Sequence, residues 1–157
     1  MQIQLVTVGK LKEAWLRDAF AEYEKRLKRY CKFSCIELAE AKLSDSPSEA
    51  EIAHALETEG KAILQAGSGK RIALCIEGKM FSSNQFADML EQTAVTGDST
   101  ITFIIGSSFG LSEAVKQAAD IRISLSSMTF THQLARVLLA EQIYRAFQIN
   151  TGGKYHK

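Results

Sequence analysis

Apolar and polar positions along the chain change period several times, and each change marks an element. Residues 2–8 alternate and then run apolar apart from Thr7, which predicts a first strand ending at Gly9. From Leu11 to Tyr30 the residues Leu11, Trp15, Leu16, Ala19, Phe20, Tyr23, Leu27 and Tyr30 recur at helical spacing. Lys12, Arg17, Lys25, Arg26, Lys28 and Arg29 fall on the opposite face. Phe33 to Leu38 predicts a second strand, and the polar stretch from Ala39 to Pro47 predicts a loop. Ser48-Glu-Ala-Glu51 has the spacing of a capping box, so a helix opens there, runs to about Gln65 and stops at Gly67-Ser-Gly69.

Three further strands follow. Arg71–Ile76 shows no alternation, which predicts burial on both faces. Glu77-Gly78-Lys79 then reads as a loop, and Ser82 or Ser83 caps a helix to about Thr93. Thr100–Ile105 is a continuous apolar strand, Leu111–Ala119 a short helix with Ser112 near its start, and Ile121–Leu125 the fifth strand. Thr131 or Thr129 caps a last helix to about Gln148. Strands alternate with helices throughout, so the expected fold class is α/β: a mostly parallel sheet with helices on both faces, built as a single domain over residues 1–157.

Composition narrows the functional classes. The chain has 157 residues, 46% hydrophobic and 24% charged, with a net charge of +1. That length supports one proper core. A near-zero charge argues against coating nucleic acid by bulk electrostatics, though a local basic patch on the first helix remains available as a docking surface for a large RNA. No apolar run approaches the roughly 18–20 residues that span a bilayer, and the opening Met1-Gln-Ile-Gln-Leu-Val reads as a strand rather than a leader. The expectation is a cytoplasmic protein with no membrane partner. Cys31 and Cys35 lack a second ligand pair and Cys75 sits in an apolar strand, so reduced thiols and no metal are expected.

The chemistry concentrates in the last third. Gly106-Ser-Ser-Phe-Gly110 lies between a buried strand and a helix, where glycine lets backbone approach a ligand. It matches neither the Gly-x-Gly-x-x-Gly fingerprint nor a Walker lysine motif, and the first strand ends Val8-Gly9-Lys10-Leu11 without a fingerprint. A doubly wound oxidoreductase is thereby disfavoured. Leu125-Ser126-Ser127-Met128-Thr129-Phe130 offers hydroxyls, a thioether and a ring between a strand and a long helix. Its backbone can bond an adenine edge, with Leu125, Met128 and Phe130 as apolar walls. Leu74 and Gly78 end the third strand; alone, Leu74 reads as core. Three carboxyl-edge turns in an open α/β sheet define a nucleotide-like crevice. His132 and Arg136 share a helical face, with Arg145 further along on another. Arginines facing a cleft suit phosphate, the plain alternative being a solvated face. Lys154, Tyr155 and His156 either fray or close over the pocket.

Taken together these motifs resemble the ribosomal large-subunit methyltransferase H family of the SPOUT superfamily over essentially the whole chain. The resemblance rests on Val8-Gly-Lys10 with Trp15 and Glu22-Tyr23, Glu77-Gly-Lys79, Phe103-Ile-Ile-Gly106, Leu125–Phe130, His132-Gln133, Arg136-Val137, Glu141–Phe147 and Tyr155-His156-Lys157. It implies a trefoil knot in the carboxyl-terminal part, a cytoplasmic homodimer, and S-adenosylmethionine-dependent methylation of N3 of a pseudouridine in large-subunit (23S) ribosomal RNA within assembled ribosomes. It places cofactor contacts on Leu74, Gly106, Leu125, Ser126, Ser127, Met128, Thr129 and Phe130. Ser107 departs from the family's usual second glycine, and its Cβ restricts the loop. An imide nitrogen is largely protonated at neutral pH, so Tyr155 or His156, with the partner subunit as one source, is the candidate to orient the base and assist proton removal. His132, Arg136, Arg145 and Lys154 are the candidate RNA contacts. The competing reading on the same fold is a non-catalytic ribosome-binding or assembly factor.

Overall fold

A computed structural model describes residues 1–97 and 99–156. Lys157, the last residue of the terminal motif, lies outside the described residues. Five strands, β1 (Gln2–Val8), β2 (Lys32–Leu38), β3 (Lys70–Met80), β4 (Thr100–Ile105) and β5 (Ile121–Ser124), alternate with five helices. The helices are α1 (Ala14–Leu27), α2 (Glu49–Ala66), α3 (Ser83–Val95), α4 (Glu113–Ala118) and α5 (His132–Asn150). The sheet order is β2-β1-β4-β3-β5 and every ladder is parallel. All five strands therefore end on one edge, where the turns that follow them gather.

The alternation of side chains sorts the core into two layers. Ile3 and Leu5 of β1, with Ile101, Phe103 and Ile105 of β4, meet Leu16, Phe20 and Leu27 of α1, Phe86 and Leu90 of α3, and Leu139 and Ile143 of α5. Val6, Val8 and Ile104 face the other way onto Ile63 of α2 and Val115 of α4. β4 is covered on both sides, which is why its sequence is mostly apolar, and its buried Thr102 hydroxyl donates to the Ser68 carbonyl. The caps are local and follow the sequence. Ser48 and Glu51 form a reciprocal box, Ser82 does the same with Gln85, and Ser112 and Thr131 accept from Val115 N and Leu134 N. Of the paired alternatives, Ser82 and Thr131 are the caps.

Three expectations need correction. The first helix starts at Ala14, and Trp15 is 62% exposed instead of joining the apolar face. β3 is not wholly buried, since Ile76 is 69% exposed. Nor does it stop at Ile76: the stretch read as a loop continues the strand to Met80. Ile123 of β5 pairs with both Leu74 and Lys79, so residues 75–78 bow out around it. Gly78 sits at the crossing, where an added Cβ would strike the backbone of Ile123.

Candidate active site: a cleft at the carboxyl ends of β3, β4 and β5

The bow of β3 and the turns after β4 and β5 converge on one cavity of about 910 Å³, a size that accommodates a nucleoside-like ligand. Leu74, Gly106, Leu125, Ser126, Met128, Thr129 and Phe130 line it. Ser127, the remaining candidate in that loop, is exposed and does not line the cavity. The 125–130 loop is shaped by its own hydrogen bonds. Ser124 Oγ donates to the Ser126 carbonyl at 2.9 Å, and Ser126 Oγ accepts from Met128 N at 3.0 Å. Met128 and Phe130 are left 74% and 39% exposed, so large apolar groups stand uncovered at the mouth. At Gly106 the backbone turns so tightly that a Cβ would collide with the Gly110 carbonyl. Gly110 N donates back to the Ser107 carbonyl at 2.9 Å, closing the turn.

Several lining residues stand out only in the folded chain. Trp15, exposed at the start of α1, borders the same cavity as Phe109 and Ile76. Lys116 of α4 pairs with Glu77 on the β3 extension. That ammonium holds the Glu77 carboxyl below its ordinary range, and Glu77 in turn raises Lys116. This pairing is not visible as a motif, because it joins a short helix to a strand read as a loop. The sequence gives no signal for Lys116.

His132, the first residue of α5, lines the cavity. Burial pulls its pKa below the ordinary value, with Arg136 and Lys12 adding to that and Glu40 opposing it. The amino end of a helix also disfavours a cation. The folded value lies below the unfolded one, so between the two the unfolded chain binds more protons and stability rises with pH. Urea denaturation midpoints should therefore drop as pH falls below about 6.5, the ordinary histidine value. His132→Gln should flatten that part of the profile. An unchanged slope in the variant would remove His132 from the account.

The other candidate RNA contacts are arranged differently from expectation. Arg136 is 1% exposed and faces inward. It donates to the Gly9 carbonyl at 2.8 Å, pairs with Glu37 at 3.2 Å and lies over the Phe20 ring. Its helical position was legible, but its side chain is enclosed by α1, β1 and β2, so in this fold it ties α5 to the sheet instead of offering itself to phosphate. Arg145 is bound to Glu141, at 3.0 Å through Nε, and lies 4.7 Å from the Tyr155 ring centroid. It is therefore engaged within the chain and not a free phosphate ligand. Lys154 is exposed.

The tail does not enter the cavity of its own chain. Tyr155 packs edge-on against Tyr144 at 4.9 Å, and its hydroxyl lies 3.3 Å from that of Tyr23. His156 is exposed, with Nδ1 3.4 Å from Arg145. Burial first, then the Tyr23 hydrogen bond and the Glu141 charge, push the Tyr155 pKa well up. Tyr155 thus stays protonated and can donate a hydrogen bond, but does not serve as a base in this packing. Among the described residues no group of three or more His, Cys, Asp or Glu could hold a metal, and no helix is long and apolar enough to cross a membrane.

Solved structures share this architecture. A probable methyltransferase from Bordetella pertussis Tohama I superposes with a TM-score of 0.58 at 14% identity, over 92% of this chain and 95% of that one. A tRNA (m1G37) methyltransferase from Aquifex aeolicus gives 0.53 at 12% identity, over 92% and 70%. The fold is thus one that methyltransferases use. A sequence profile described as "Predicted SPOUT methyltransferase" matches residues 1–156, and the chain belongs to that family. Proteins named ribosomal RNA large subunit methyltransferase H from Streptococcus pneumoniae, strains CGSP14 and 70585 among them, are each 50% identical over 159 residues, covering all of both chains.

Proposed function

We propose that the protein uses S-adenosylmethionine to methylate N3 of a pseudouridine in large-subunit ribosomal RNA, acting as a homodimer. The observation that carries this reading is the convergence of the β3 bow and two strand-end turns on one cavity whose walls include Leu74, Gly106 and the 125–130 loop. The full-length identity to proteins named ribosomal RNA large subunit methyltransferase H supports the choice of RNA. The residues present fit the cofactor: backbone amides and carbonyls of the 125–130 loop for an adenine edge, and Leu125, Met128 and Phe130 for its faces.

When bound, the cofactor supplies an electrophilic methyl group on a cationic sulfur. The protein's part is to fix geometry and to manage one proton. Gly106 would let the backbone come close and the 125–130 loop would hold the nucleoside, and fixing both reactants in one cleft is the positioning that methyl transfer requires. Trp15, exposed at the mouth, offers a stacking face for a base turned out of its strand. His156 is the group proposed to take the N3 proton, with Tyr155 orienting the base by donating a hydrogen bond. Both sit on the α1/α5 side of their own chain, so the reading assigns them to the cavity of a second copy. Lys154 is the remaining candidate for phosphate. We also read the carboxyl-terminal part as knotted, an arrangement supported by Ile123 meeting β3 on both sides of its bow.

Calorimetry with S-adenosylhomocysteine, together with mass spectrometry of ribosomal RNA from cells with and without the gene, tests the proposal. Saturable binding and one methylated pseudouridine that disappears with the gene are expected. A folded protein without affinity for either cofactor form would leave only a non-catalytic ribosome factor. Binding with a different missing modification would reassign the substrate.

A further inference from the structure

Beneath the Gly106–Gly110 turn lies a side chain that does not touch the cavity. Glu59 of α2 is 5% exposed. Its Oε2 accepts from Ser107 Oγ at 2.9 Å, and its Oε1 accepts from Ala41 N at 3.0 Å. Ser107 is also 5% exposed and lines the cavity. Neither segment that Glu59 joins is held by a long ladder. The glycine turn has a single bridge, Ser107 to Gly110, and residues 39–44 have no regular structure. The next residue on α2 explains how Glu59 gets in so far. Gly60 packs against Ser112, whose Oγ lies 2.6 Å from where a Cβ would stand, so α2 comes close to the start of α4 directly beyond the turn.

We propose that Glu59 is a positioning residue for the cofactor, holding the Gly106–Gly110 turn in ligand-receiving shape through Ser107 and bracing it on the 39–44 segment through Ala41. This rests on the reading of the cavity as an S-adenosylmethionine site. A second glycine after Gly106 would leave the turn freer to sample other backbone states. Serine restricts the backbone, and here its hydroxyl adds a tether whose partner is itself fixed at both oxygens. The turn is thus ordered before the ligand arrives, and binding carries less of the ordering cost. An acceptor lost from this dry position leaves its donor unsatisfied, which makes the tether count for more than a surface hydrogen bond.

The test is a double-mutant cycle read by S-adenosylhomocysteine calorimetry, with amide hydrogen exchange of residues 106–110 in the ligand-free protein. Ser107→Ala and Glu59→Met, which removes both oxygens and keeps the side-chain length, should each weaken binding roughly tenfold and speed exchange in the turn. The double variant should bind no worse than the poorer single, since one tether is lost only once. The KM for RNA and kcat at saturating cofactor should stay within about twofold, a split that general destabilisation would not give. Independent losses that multiply in the double variant would overturn the proposal, as would Ser107→Ala binding and exchanging like the parent. Should Glu59→Met fail to fold by circular dichroism, Ser107→Ala decides alone, because it removes one hydroxyl and leaves the backbone intact. If the unmodified protein binds no S-adenosylhomocysteine, the functional reading itself fails, a result separable from any loss confined to the variants.

Discussion

Gly78→Ala should destabilise the protein by about 3 kcal/mol or more and abolish cofactor binding. A Cβ at this position lands on the carbonyl carbon, nitrogen and oxygen of Ile123. These are backbone atoms inside a β-ladder, so no rotamer change relieves the clash. Ile123 is paired on both sides of the bow, with Leu74 before it and Lys79 after it. Pushing it away opens two pairings at once and displaces Leu125, which lines the cavity just beyond. For a chain of this size the loss corresponds to a fall in Tm of about 6–12 °C. Gly60→Ala provides the contrast. There the nearest atom is the Ser112 hydroxyl at 2.6 Å, the end of a side chain that can turn away, and alanine favours the helix. Its net effect should stay within about 1 kcal/mol. Thermal unfolding by circular dichroism and S-adenosylhomocysteine calorimetry on both variants check the pair. A Gly78→Ala protein as stable as Gly60→Ala would mean that β5 does not run through the bow of β3 in solution.

What the sequence made legible was local. Ser48, Ser112 and Thr131 are recognisable caps because a cap needs only its own side chain and the amides two or three residues on. β4 is recognisable because burial on both faces leaves it apolar apart from Thr100 and Thr102. The turns at Gly106 and Leu125 are recognisable as a set with the Leu74 strand because parallel strands must share an edge. The misses all depend on distant partners. Glu77-Gly78-Lys79 has loop composition, and only the pairing of Lys79 with Ile123 makes it strand. Trp15 has the spacing of the apolar face, yet α1 begins one residue earlier and Leu11 enters the core from the preceding turn. Arg136 looks like a solvated arginine until Glu37 and the Gly9 carbonyl, both remote in sequence, enclose it. The family resemblance supplied the cofactor and the substrate, which periodicity does not encode. The place of the tail, on the α1/α5 side and away from its own cleft, was not legible from either source.

Removing residues 154–157 should reduce methyl transfer by about 100-fold or more while leaving S-adenosylhomocysteine affinity within about threefold, the size of a lost general base or orienting donor. Among the described residues, 154–156 contribute nothing to the walls of the cavity in their own chain, so the cofactor loop keeps its contacts. The cost to the fold is confined to the aromatic cluster. Tyr144 loses its edge-on neighbour and Tyr23 its hydroxyl partner, about 1 kcal/mol in a partly exposed setting. His156→Ala separates the two contributions, since His156 is exposed and its removal spares that packing. With His156 as the acceptor of the N3 proton, transfer by this variant should fall nearly as far as with the deletion; only a slight fall would remove His156 as the base and leave the tail's effect to Tyr155. Unchanged turnover after deletion would end any catalytic role for the tail, and parallel loss of turnover and cofactor affinity would make it a structural element. A mixing experiment addresses which cleft the tail serves. A tail-less chain keeps an intact cleft, and a Gly106→Ala chain keeps an intact tail beside a turn whose Cβ meets the Gly110 carbonyl. If each tail completes the cleft of the opposite copy, mixed dimers restore transfer that neither variant shows alone. If the tail folds back onto its own cleft, mixing restores nothing.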